Sequence, residues 1–95
     1  MQITNLKIRP TGYPNIKLTW DYNADYVDNS NNYLVKIGFS ENDLGPFQPL
    51  VELPFNSVEY IFQQSNTKYL EFVFFELSIY NTFTKEIEHA IIASI

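Results

Sequence analysis

The chain reads as an all-β protein, a seven-stranded antiparallel Greek-key β-sandwich, and three observations predict it. Apolar and polar residues alternate with period two, most clearly in Asn15-Ile16-Lys17-Leu18-Thr19-Trp20-Asp21-Tyr22. There Ile16, Leu18 and Trp20 share one side and Lys17, Thr19 and Asp21 the other, the mark of a half-buried strand. Gly, Pro and Asn punctuate the chain roughly every 8–12 residues, the spacing of short sandwich strands. Aromatic residues make up 17% of the 95 positions, chiefly Phe and Tyr. Each buries about 150–250 Å², which suits a small core.

Strand by strand, the first element spans 3–9, with Leu6 and Ile8 alternating against Asn5, Lys7 and Arg9. Pro10-Thr11-Gly12-Tyr13-Pro14 turns the chain, because Pro fixes φ and Gly admits positive φ. The Trp20 strand follows, then a polar loop over 23–32. The third strand spans 33–39 and sets Tyr33, Val35, Ile37 and Phe39 on one face. A turn over 41–46 leads to a short strand, 47–53, which holds Pro49; proline cannot donate to a ladder, so this strand belongs at an edge. Residues 57–62 alternate again through Val58, Tyr60 and Phe62. After a polar corner, 69–80 forms the longest strand, and Asn81-Thr82-Phe83-Thr84 turns it into a last strand, 85–94.

Composition narrows the function. Ninety-five residues predict a single domain, 1–95, and a chain of this length buries only roughly 60–65% of its unfolded surface. Cysteine is absent, so stability comes from packing without disulfides or thiolate metal sites. Six Lys and Arg against eleven Asp and Glu give a net charge of −5, and only Lys7 and Arg9 lie close together in sequence. Phosphate-backbone binding needs clustered cations, so nucleic acid is not an expected partner. No stretch approaches the roughly 20 apolar residues of a membrane-spanning helix, so membrane insertion is not expected either. No secretory signal pattern is present.

The core pattern resembles that of fibronectin type III domains. Leu18-Thr19-Trp20 in the second strand, Tyr33-Leu34-Val35 in the third, and Tyr69 opening the sixth strand after a polar corner carry the resemblance. The family's corner has Leu-x-Pro-x-x-x-Tyr, whereas Phe62-Gln63-Gln64-Ser65-Asn66-Thr67-Lys68-Tyr69 lacks the proline and is one residue longer. An immunoglobulin-type sandwich without its cysteine pair fits the same strands. The resemblance implies a fold and a module that docks onto other molecules; it supplies no catalytic residue, and no Arg-Gly-Asp tripeptide occurs.

Candidate sites are few. Asp21, Asn23 and Asp25 start like a calcium loop, but Tyr26 stands where such a loop turns on Gly and Asn32 where it needs a bidentate Glu. A solvated loop of Asx-turns is the expectation, with no metal and no cofactor. His89 is the sole histidine, beside Glu88 and Ala90, and no Gly-x-Ser-x-Gly elbow accompanies it. Glu71, Glu76, Glu86 and Glu88 alternate with apolar neighbours, as residues keeping a sheet face wet do. No catalytic residue is assigned.

The sixth strand is apolar on both sides: Tyr69, Val73, Phe75, Leu77 and Ile79 on one, Leu70, Phe72 and Phe74 on the other. A two-layer sandwich buries one face of each sheet. Either a bulge switches the alternation, or Leu70, Phe72 and Phe74 form a protein-interaction patch. The expected function is a non-catalytic structural or binding module whose partners are other protein chains, in a homo-oligomer or a larger assembly. Domains of the kind it resembles occur in bacteriophage virions as capsid decorations, tail or baseplate parts, and ten asparagines suit an AT-rich genome. The virion is therefore the expected setting. The alternative, in an extracellular or cell-surface setting, is an accessory module of a bacterial surface protein or glycan-degrading enzyme that touches carbohydrate through Tyr13, Tyr22 and Tyr26.

Overall fold

A computed structural model describes residues 2–12, 15–23, 32–63 and 73–94. They form seven strands: β1 (Gln2–Gly12), β2 (Asn15–Asn23), β3 (Tyr33–Ser40), β4 (Gln48–Pro54), β5 (Glu59–Gln63), β6 (Phe74–Asn81) and β7 (Glu86–Ser94). They build two antiparallel sheets, one ordered β1-β2-β5 and the other β4-β3-β6-β7. The chain changes sheet between β2 and β3, between β4 and β5, and between β5 and β6. The inner faces meet in one hydrophobic core, an arrangement compatible with a β-sandwich.

Alternation places the core. Ile16, Leu18 and Trp20 are buried from the first sheet, and Val35, Ile37, Phe75, Leu77 and Ile79 from the second. Two aromatic clusters bridge the sheets at opposite ends of this core. At one end Phe55 lies 4.7 Å from Tyr22 and 5.6 Å from Tyr33, ring centre to ring centre. At the other, Phe62 sits 5.6 Å from Phe39 and meets Phe75 edge-on at 5.3 Å. Trp20 starts a short relay: its Nε1 donates to the Tyr22 hydroxyl at 3.1 Å, and that hydroxyl donates to the Ser57 carbonyl.

The first strand departs from the simple alternation. Thr4 pairs with Asp21 and Lys7 with Thr19, so Asn5 and Leu6 together oppose Trp20. Asn5 takes φ 54°, in the left-handed region that Asn tolerates better than most side chains. Its Nδ2 donates to Asp21 Oδ2 at 3.1 Å. This bulge re-aims the strand, so that Ile3 joins Leu6 and Ile8 against the core.

The proline-bearing strand lies at an edge, as its composition predicts: β4 pairs with β3 alone. A second bulge, at Leu50, separates the Ile37–Val51 and Gly38–Pro49 pairs. Gly38 permits the close approach of the incoming chain. A Cβ there would stand 3.1 Å from the Gln48 carbonyl oxygen and 3.2 Å from Phe47 Cβ.

Candidate interaction surface

The four-stranded sheet turns its second face outward, and register fixes which side chains it shows. Val73, Phe75, Leu77 and Ile79 point to the core without interruption, so Phe74, Glu76, Ser78 and Tyr80 point away. Phe74 sits half-buried between Ser40 of β3 and Ser94 of β7. The bulge considered for the sixth strand is absent from 73–81; it lies in the neighbouring strand, where Ile79 pairs with His89 and Tyr80 with Ile87, leaving Glu88 unpaired. Leu70 and Phe72, the other two residues of the expected patch, lie outside the described residues, as does the corner at Tyr69.

The bulge at Glu88 has an effect on the outer face. It brings Ile87 into line beside Tyr80, while Ile92 lies beside Glu76. Ile87 is 58% exposed and Ile92 47%, large apolar side chains left in water. Beside β4 runs a shallow groove of about 530 Å³, whose lining includes Gly38, Phe47, Pro49, Glu76, Ser78 and Ile87. Its charged rim is tied up in part. Lys36 Nζ reaches Glu52 Oε1 at 3.5 Å and stands 3.7 Å from the centre of the Tyr80 ring.

At one end of the sheet the β6–β7 hairpin presents Phe83, 84% exposed. The loop beneath it is well tied. Asn81 Oδ1 accepts from the Phe83 and Thr84 amides at 2.9 and 3.0 Å, and the Thr82 amide and hydroxyl both donate to the Asn32 carbonyl.

The remaining candidates do not converge. His89 faces Ile79 across the ladder, with its Nε2 shielded from solvent and without a partner among the described residues. Glu76 stands opposite Ile92 and Glu86 opposite Asn81, at opposite ends of β6, while Glu71 lies outside the described residues. Residues 24–31 of the loop that starts like a calcium site also lie outside them. Of the three tyrosines considered for carbohydrate, Tyr13 and Tyr26 are not described. Tyr22 is half-buried, with its ring on Phe55 and its hydroxyl engaged by Trp20 and Ser57. Burial raises the Tyr22 hydroxyl above the usual tyrosine range, opposed by the hydrogen bond from Trp20 and by the Asn56 backbone.

One grouping escaped sequence reasoning. The β1–β2 hairpin sets Arg9 directly opposite Lys17, so Lys7, Arg9 and Lys17 share the outer face of the three-stranded sheet. Lys17 is partly neutralised there by Glu59 at 3.1 Å. The residues are brought together by the turn at Gly12, and only the hairpin register could have revealed them. Among the described residues no three His, Cys, Asp or Glu side chains gather as metal ligands would, and no helix is long and apolar enough to cross a membrane. Comparison of the chain with protein-family models, curated proteins and solved structures gives no match.

Proposed function

We propose that this chain is a non-catalytic structural module that works by docking onto other protein chains. The observation that carries this reading is the outer face of the four-stranded sheet. Ile87 and Ile92 are exposed there, beside half-buried Phe74 and Tyr80, and Ile87 also lines a groove with Phe47 and Pro49. Apolar side chains grouped on a surface leave water at a gain of roughly 25 cal/mol per Å² when a partner covers them.

The sandwich is of the fibronectin type III kind on this reading, with Greek-key connections. Support comes from the fourth strand: it borders β3, whereas an immunoglobulin constant-type sandwich adds its fourth strand to the sheet of the first, second and fifth. The setting we propose is a bacteriophage particle, as capsid decoration, tail or baseplate part. The support is analogy with other small sandwiches used in that way, together with a stable core that needs no disulfide.

The test is direct. Antibody raised against the folded chain is applied to particles purified from its source and to the unassembled fraction. Enrichment in intact particles, at a fixed ratio to the major particle protein, is the expected result. Absence from particles overturns the virion setting. If a glycan array then captures the chain, the carbohydrate-binding alternative replaces protein docking.

A further inference from the structure

Among the described residues four strands end the two sheets, and three are protected against pairing with another chain. β1 has the Asn5–Leu6 bulge, the cations Lys7 and Arg9, and Pro10. β4 has Pro49, Pro54 and the Leu50 bulge. β5 runs only five residues and carries Glu59. Short strands, bulges, prolines and charges are the devices that keep sheet edges from joining. β7 is protected only at its start, by Glu86 and by the bulge at Glu88. From His89 to Ser94 it has no proline, no carboxylate, no lysine and no irregularity in its ladder with β6. β1 approaches from the opposite sheet, yet among the described residues no backbone hydrogen bond joins it to β7.

We propose that β7 pairs antiparallel with β7 of a second copy of this chain, about a two-fold axis at Ile91. The proposal rests on the docking role above and names its partner. Self-pairing of one strand is closed and symmetric, the commonest form of oligomer. The residue pattern favours this register. With Ile91 opposite its own copy, Ala90 faces Ile92 and Glu88 faces Ser94, so no carboxylate meets a carboxylate. Ile92, half-exposed in the single chain, then packs beside a methyl group in each half of the dimer. The two four-stranded sheets become one of eight strands, with both outer faces on the same side. Each copy carries a net charge of −5, so long-range repulsion opposes the pair and added salt strengthens it.

Sedimentation equilibrium on the full chain, from micromolar to millimolar, reads this out. A reversible dimer that tightens with salt is expected. Ile92→Lys and Ala90→Lys each place a charge at the junction and weaken the dimer by about tenfold or more. Both positions are exposed or half-exposed, and far-UV circular dichroism with a thermal midpoint checks that the variants still fold. Because the chain has no cysteine, a mixture of Ala90→Cys and Ile92→Cys proteins tests the register. The mixed disulfide forms faster than either like pair. A chain that stays monomeric at millimolar concentration overturns the proposal, as does a dimer indifferent to both lysine variants. Either result leaves docking onto other proteins to be decided by the particle assay.

Discussion

Trp20 links the hydrophobic core to a short run of hydrogen bonds. It is 2% exposed and anchors Tyr22, which in turn holds the Ser57 carbonyl. Trp20→Ala leaves a cavity that so small a domain refills poorly. We expect a loss of about 3–5 kcal/mol, measured by urea denaturation. Phe74→Ser acts differently, because its side chain points away from that core. The melting temperature should change little while association weakens, and a large stability loss would show that Phe74 supports the sheet. Tyr22 adds a pH dependence. Its folded value is raised by burial, so folding keeps the hydroxyl protonated where the unfolded chain, with a tyrosine value of about 10, would release the proton. This contribution is complete below that value and is lost as pH rises above it. A denaturation midpoint that falls between neutral pH and strong alkali, and falls less in Tyr22→Phe, is the expected outcome.

At the level of elements, Asn81 closes the β6–β7 hairpin. Asn81→Ala removes the acceptor of two amides in a loop where Lys85 already takes φ 62°. A loss of about 1–2 kcal/mol is expected, with faster amide exchange confined to 82–85. The element level also shows why some of this protein could be read from its sequence and some could not. β2 and β3 were legible because their alternation is unbroken, and β4 because Pro49 forces it to an edge. Ile3 was missed as a core residue since its parity conflicts with that of Leu6 and Ile8 until the Asn5 bulge resolves it. The same reason hid Ile87 and Ile92. A bulge is a relation between two strands, and nothing in 86–94 alone announces that Glu88 is skipped. Of the candidate surface, the sequence therefore revealed Phe74, while its neighbours across the ladder needed the register.

Taken whole, the molecule has no disulfide to hold it, and an aromatic cluster stands at each end of its core. Phe55 and Phe62 belong to different clusters and share no aromatic partner. Phe55→Leu and Phe62→Leu should therefore destabilise independently, their effects adding to within about 0.5 kcal/mol in a double-mutant cycle. A larger coupling would mean that strain passes along the sheets from one end to the other. The placement of the only indole has a spectroscopic consequence. Trp20 lies at the Tyr22 end, so its fluorescence reports solvent entry there, while the Phe39, Phe62 and Phe75 end has no comparable chromophore. Tryptophan emission and backbone ellipticity that shift together on heating would mean the two ends melt as one; emission that lags ellipticity would mark the dark end as the one that opens first.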